Sequence, residues 1–240
     1  MDKYFRVEVI EKASKPQQAC WRAMHQDYSE GFVFDEYAPP EKEAGDYIVK
    51  HCLTGNRGHY GILEHAQIVL NCGWFPHSTI VQLRTHRVGV SFDTQSQRYT
   101  SQRVIDVAKL DRPVDEVFYL RPIGTYTDRQ GSRYVYTEEM QAEDREDCRN
   151  AAIKYAYRVE KMGVTEEHAR DLLPQGIRQH FVMSANLRSL LHILLIRGKK
   201  DAQLEVQQLC ELTLPHLKEW CPQVSAWFEA NLWLKGRLAP

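Results

Sequence analysis

The chain lacks any long apolar run: no stretch of its 240 residues approaches the roughly 20 apolar residues needed to span a bilayer, so no membrane segment is expected. It also lacks an apolar leader. Met1-Asp2-Lys3-Tyr4-Phe5-Arg6 reads as a mature N-terminus, and a cytoplasmic protein is expected. Clustered cysteine is absent: the six (Cys20, Cys52, Cys72, Cys148, Cys210, Cys221) are scattered and form no C-x-x-C pair. They read as reduced thiols rather than a disulfide framework. Cys52, His59, His65 and Cys72 do not have compact zinc-ligand spacing, so no metal is expected. Excess charge is missing too. A net charge of −1 argues against a broad basic face for a nucleic-acid polymer. There is no G-x-G-x-x-G and no G-x-x-x-x-G-K-[ST], so a Rossmann or P-loop grip on a nucleotide is excluded. Neither a G-x-S-x-G elbow nor a Ser-His-Asp pattern appears. No repeat, linker or low-complexity segment divides the chain, and one domain over residues 1–240 is expected.

What is present is concentrated between Arg84 and Tyr99. These sixteen residues hold three arginines, one histidine, two serines, an aspartate and a tyrosine, with no lysine or glutamate. A solvated face would mix in both. Arginine is preferred where a planar, bidentate grip on phosphate or carboxylate is needed. The stretch therefore reads as a site for an anionic ligand, a phosphate ester above all. The competing reading is an ordinary basic turn.

Periodicity predicts a strand over Tyr4–Ile10, a helix over Pro16–Tyr28, a loop over 29–45, and a helix from Asp46 to Leu53 stopped at Thr54-Gly55-Asn56. Alternation from Ala66 to Cys72 predicts a strand. Pro76 then opens a helix through Arg87, followed by a loop from Gly89 to Ser96. Val117–Leu120 reads as a short strand. Thr137 opens a long helix ending at Gly163, and Thr165 caps another closed by Pro174. Ile177–Met183 reads as a strand. Ser184 caps a helix to Arg197, and Asp201 caps the next. The fold class is α+β, with a central, mostly antiparallel sheet and a helical C-terminal half.

The helix from Asn186 to Arg197 is mostly Leu and Ile and reads as buried. Arg188 and His192 share a face at about 40° separation, while Arg197 falls nearly opposite. Buried guanidinium groups need acidic partners or an anionic ligand. Glu205 is the structural candidate, and the helix could separate two ligand sites or touch two subunits. Arg170 and Gln82 join this group. Leu83-Arg84-Thr85-His86-Arg87 also resembles the Arg-His of histidine phosphatases, with His86 as phosphoryl nucleophile. That motif wants a leading strand and a following Gly, and neither is expected here.

The stretch from Arg84 to Tyr99 resembles the signature of flavin-dependent thymidylate synthases, R-H-R, a short spacer, S, a polar residue, S and R-Y. The matching residues are His86-Arg87, Ser91, Asp93, Ser96, Arg98 and Tyr99. Three further blocks are similar: Ile62-Leu63-Glu64-His65, Ala169-Arg170 to Pro174, and Asn186-Leu187-Arg188-Ser189 with Arg197 and Ala202 to Gln208. Together they cover roughly residues 59–210. Thr85 stands where the first Arg of R-H-R is usual, with Arg84 one place earlier, so either can fill that role. The spacer to Ser91 is one residue longer. Asp93 replaces an Asn, Gly61 a Thr and His192 an Asn.

The resemblance implies a homotetramer with sites at subunit interfaces. It implies FAD, NADPH and 5,10-methylenetetrahydrofolate as cofactors, and reductive methylation of dUMP to dTMP. It places FAD on Gly61, Glu64, Thr85, His86, Arg87, Thr94, Asn186, Arg188 and His192. It places dUMP on Gln82, Leu83, Arg84, Thr85, Thr94, Gln95, Ser96, Gln97, Arg98, Arg170 and Arg197. Arg197 is the catalytic candidate, stabilising negative charge on the uracil ring. His59 and Tyr99 border the folate and the nucleotide. No enzyme cysteine is implied as nucleophile. A non-catalytic nucleotide-binding module and a phosphate-ester hydrolase using His86 are the alternatives.

Overall fold

The alternation read at Ala66–Cys72 becomes an inner strand of a four-stranded sheet. In the computed structural model, which describes residues 1–128 and 130–235, the chain opens with β1 (Arg6–Lys12), α1 (Pro16–Gln26) and α2 (Glu41–Ile48). Next come β2 (Gln67–Pro76), α3 (His77–Leu83), β3 (Val90–Thr94), α4 (Gln102–Ala108) and α5 (Val114–Val117). A hairpin follows, β4 (Gly124–Thr127) and β5 (Arg133–Tyr136), then α6 (Glu138–Glu160) and α7 (Glu166–Ala169). The chain ends with β6 (Arg178–Asn186), α8 (Leu187–Arg197), α9 (Leu204–Trp220) and α10 (Pro222–Asn231). The class is α+β, as expected. Arg129 and the last five residues of the expected domain lie outside the described residues.

The larger sheet has the order β1-β2-β6-β3. Leu187 N–H donates to Ala66 O, and His77 N–H to Ile177 O, both at 2.9 Å. The head of β2 thus meets the tail of β6 and the reverse, so this pair is antiparallel. Ile68, Leu70 and Cys72 are buried between exposed Gln67 and Asn71. The burial phase slips by one at Gly73-Trp74, where Trp74 has φ +62°, a left-handed conformation rare for a bulky residue. Phe75 then carries the burial on.

The chain forms two compact units. One holds residues 1–5, 73–82 and 94–181. Its core packs α4, α5 and α6 through Val104, Val107, Val117, Phe118, Ala152 and Tyr155. Thr137 caps α6 as expected, its hydroxyl accepting from Met140 N–H at 3.3 Å. Arg178 is 1% exposed in this unit. Its guanidinium makes a bidentate pair with Asp2 at 3.1 and 2.8 Å and also donates to Asp115 O and Trp74 O. A buried charge satisfied on every side is the arrangement that repays its desolvation. The other unit holds residues 6–72, 83–93 and 182–240. Here Glu41 ties α2 to α1, its carboxylate accepting from Gln17 and Gln18 N–H at 2.6 and 2.9 Å.

Several expected boundaries moved for identifiable reasons. The first strand starts at Arg6, not Tyr4, because Phe5 instead stacks on Phe75 at 4.3 Å and Arg178 lies over the Tyr4 ring. The expected loop over 29–45 yields to α2 at Glu41, which has Glu41 and Glu43 in its first turn. The helix then widens into a π turn, Val49–Leu53, before Gly55 at φ +73°. Pro76 ends a strand rather than opening a helix, and α3 stops four residues short of Arg87. The supposed loop from Gly89 contains β3, whose burial alternates. Val117–Leu120 is not a strand; Pro113 and the acidic Asp115-Glu116 start a helical turn, leaving one bridge, Phe118 to Ile177. The β4–β5 hairpin was not read. Ser184 lies inside β6 and does not cap α8, and Gln203 rather than Asp201 precedes α9.

Candidate functional site

The site begins with a cap. Asn186 ends β6, and its side-chain oxygen accepts from Ser189 N–H at 2.8 Å at the head of α8. Four helix donors need such partners, and Asn is among the best residues for it. The same short segment grips the loop between α3 and β3. Asn186 N–H donates to Gly89 O at 2.9 Å, and Ser189 Oγ donates to Val88 O at 2.7 Å. Gly89 sits at φ +65°, and a Cβ there would overlap Asn186 Nδ2 and Ser189 Oγ. Both the backbone angle and the close approach require glycine. Arg84 to Val90 is thus fastened to α8 in the unit that contains both.

A cavity of about 460 Å³ opens there, lined by Glu64, Thr85, His86, Arg87, Val88, Val90, Arg188, Ser189 and His192. Arg188 Nη1 meets Glu64 at 2.6 Å. Glu64 is thus the carboxylate on Arg188, and Arg188 is about half exposed rather than buried. His192 is exposed as well. Arg87 is exposed and lies in the lining with no hydrogen bond or ion pair among the described residues.

Arg197, the last residue of α8, donates from Nε to His86 Nε2 at 3.1 Å and from Nη2 to Thr85 Oγ1 at 3.0 Å. His86 and His192 meet edge to face, ring centroids 5.6 Å apart. An Nε2 that accepts must be unprotonated, so this imidazole is neutral with its proton on Nδ1. Burial, then the Arg197 charge, then His192, push the His86 pKa down to about 4. Arg197 was expected on the far side of α8 from His192, so that the helix could separate two ligand sites or touch two subunits. Its long side chain closes that angle, and both residues reach the same imidazole. A hydrolase using His86 as nucleophile needs that Nε2 lone pair, which Arg197 occupies.

The first unit carries most of the remaining candidates. Arg98 pairs with Glu167 at 3.0 Å and lies over the Tyr99 ring at 5.5 Å. Arg170 is exposed on the 3-10 turn after α7. Ser96 O accepts from Tyr99 N–H at 3.2 Å and Thr100 Oγ at 3.0 Å, closing a turn around Gln97 and Arg98. Gln82 lies on α3 and is half-buried. Gln95 N–H donates to His180 O at 2.9 Å, and Gln179 Nε2 to Gln95 O at 3.1 Å. Arg103 Nη1 donates to Arg178 O at 2.5 Å. Three consecutive residues of β6 thus hold Gln95 and Arg103. Thr94 Oγ1, Gln95 Oε1 and Arg103 Nε and Nη2 are buried without a partner among the described residues. Burial and Arg112 lower the Arg103 pKa to about 10, which leaves it cationic at neutral pH.

Leu83 and Arg84 belong to the second unit; Leu83 is fully buried and Arg84 exposed. Gly61 does not line the 460 Å³ cavity; it sits on the same 3-10 turn as Glu64, with open space where a Cβ would be. His59 is held by Asp27 at 3.2 Å. Sequence reasoning missed Arg103, Glu167, Gln179, His180 and the cavity role of Ser189. Only Ser189 had a signal, its three-residue spacing from a capping Asn. All six cysteines are free and buried, with thiol pKa values raised by burial, Cys20 to about 12 and Cys148 to about 11. None is a ready thiolate nucleophile.

Among the described residues no helix is long and apolar enough to cross a membrane. A family model described as thymidylate synthase complementing protein matches residues 8–223. A flavin-dependent thymidylate synthase of Haloarcula marismortui is 31% identical, over 98% of this chain and 99% of that one. A protein of the same name from Halobacterium salinarum is 30% identical over 98% and 100%. Thymidylate synthase X from Helicobacter pylori, solved with FAD and dUMP, superposes with a TM-score of 0.70 at 18% identity, covering 96% of this chain and 99% of that one. The UMP/dUMP methylase PolB from Streptomyces cacaoi, bound with 5-Br dUMP, gives 0.72 at 20% over 94% and 95%. At these identities the two structures establish the fold.

Proposed function

The chain belongs to the flavin-dependent thymidylate synthases, and from that premise we propose which of its residues convert dUMP to dTMP with FAD. NADPH as reductant and 5,10-methylenetetrahydrofolate as carbon donor complete the reading. So do a single functional domain, a cytoplasmic location and a homotetramer with sites at subunit interfaces.

The observation that carries the assignment is the union of His86 and Arg197, 111 residues apart, beside a cavity whose lining holds Arg87 and Arg188. Two guanidinium groups and a neutral imidazole suit a diphosphate. Arg87, without a partner among the described residues, supplies the uncompensated charge. Asn186 and Ser189 fix the cavity wall, Glu64 orients Arg188, and Thr85 and His192 complete the lining. Gly61 and Thr94 are assigned to FAD on resemblance alone. When bound, FAD would supply the hydride chemistry.

The nucleotide side rests on Ser96, Gln97 and Arg98 for the phosphate and on Gln82, Leu83 and Arg84 for the uridine; Arg170, expected with Gln82 at the uracil and ribose, is assigned to the phosphate because it follows by three residues the Glu167 that pairs with Arg98. The orphaned Thr94 Oγ1 and Gln95 Oε1 are buried polar atoms that a polar ligand could satisfy. Arg197 stabilises negative charge as it develops on the uracil ring, and its hydrogen bond to neutral His86 fixes the guanidinium in place. Anaerobic bleaching of the flavin absorbance by NADPH and tritium release from C5-labelled dUMP, with and without the folate, test this. A protein that binds dUMP but releases no tritium in the full assay would be a binding module instead.

A further inference from the structure

We infer that Glu167 is a specificity-determining residue that restricts the nucleotide site to a monophosphate. The inference rests on the proposed role of Arg98 and Arg170 in holding that phosphate. Glu167 touches Arg98 Nη1 at 3.0 Å, and both side chains are nearly half exposed, so the pair can open. It lies three residues before Arg170, where α7 runs into the 3-10 turn Arg170–Leu172. Residues three apart in such a turn are neighbours on one face. The local set is therefore guanidinium, carboxylate, guanidinium.

A nucleoside monophosphate carries about −1.5 to −2 at neutral pH. The two arginines balance that charge and no more. The carboxylate is then surplus negative charge beside the ligand. A monophosphate displaces it from Arg98 at the small cost of one exposed ion pair. A diphosphate adds a further negative group with Glu167 still at hand, and like charges at close quarters oppose it. Glu167 thus weakens binding of every anion somewhat, and of the more highly charged ones most.

The test is calorimetric titration of the full-length, flavin-loaded protein with dUMP and with dUDP, comparing wild type, Glu167→Gln and Arg98→Gln. Glu167→Gln should tighten dUMP by about 2–5-fold, the worth of the exposed pair. It should tighten dUDP by about threefold more than dUMP, and raised salt should narrow the wild-type preference. Arg98→Gln should weaken dUMP by about tenfold or more, as expected for a charge-assisted bond. If Arg98→Gln weakens dUMP but Glu167→Gln weakens it too, or leaves the ratio of the two affinities unchanged, the inference is wrong while the phosphate reading stands. If Arg98→Gln leaves dUMP binding intact, the phosphate reading itself fails.

Discussion

Around the head of α8, the polar groups of Asn186, Ser189, Val88 and Gly89 are bonded to one another; between Thr94 and Arg103, buried polar atoms stand without partners among the described residues. The first region is assembled before any ligand arrives. Its loop is glycine-fitted, its helix is capped, and His86 is held neutral by burial and a fixed guanidinium. The second keeps an exposed, exchangeable pair, Arg98–Glu167, and orphaned groups that gain from a ligand. A permanent cofactor suits the first kind of site and a substrate that comes and goes suits the second.

The largest test of that contrast is Arg197→Ala. It removes the donor to both His86 and Thr85 and should lower kcat by about 10²–10³-fold. The His86 pKa should also rise, because the Arg197 charge is the second cause of its depression. Steady-state rates and NMR titration of His86 check both, and an unchanged kcat would remove Arg197 from the chemistry. Gly89→Ala comes next. Left-handed strain costs about 1–3 kcal/mol, with overlap against Asn186 and Ser189 added, so the melting temperature and FAD affinity should fall together. An unchanged melting temperature would mean that the loop is not preformed.

The pH dependence of the first region follows from His86. Its folded pKa of about 4 lies below its ordinary 6.5, so between these values the unfolded chain binds more protons. Stability rises with pH across that window. The contribution is full above about pH 6.5 and is lost as pH falls towards 4. A His86→Asn variant should show a flatter acid limb in chemical denaturation between pH 4 and 6.5. Smaller again is Asn186→Ala, which deletes the cap of α8 and should cost about 1 kcal/mol, read as a shift in denaturation midpoint. Smallest is salt. Raising ionic strength should weaken the exposed Arg98–Glu167 pair while leaving the Arg197–His86 bond unchanged, because one is an ion pair and the other joins a cation to a neutral ring.

Much of the candidate site was legible because its residue types are costly to place elsewhere. Arg84 to Tyr99 has too many arginines and no lysine, and Arg188, His192 and Arg197 interrupt an apolar helix. The fold was legible where periodicity was strong, as in β2 and α6. It failed where a boundary depends on a distant partner. Ser184 looks like a cap, but Ala66 O and Gly89 O carry the backbone two residues further and leave Asn186 to cap the helix. Val90–Thr94 looked like a loop, yet it lies beside β6 as a strand.

The sequence by itself determined the chemistry available: arginines for anions, six thiols without a motif, a glycine at 89. Only the tertiary structure decided how these residues are used. It joined His86 to Arg197, made that histidine neutral through burial and a neighbouring charge, paired Arg188 with Glu64, and set Glu167 on Arg98. Helical angles place side chains on opposite faces, but a long arginine reaches around. Charge state likewise depends on neighbours that sequence order does not reveal.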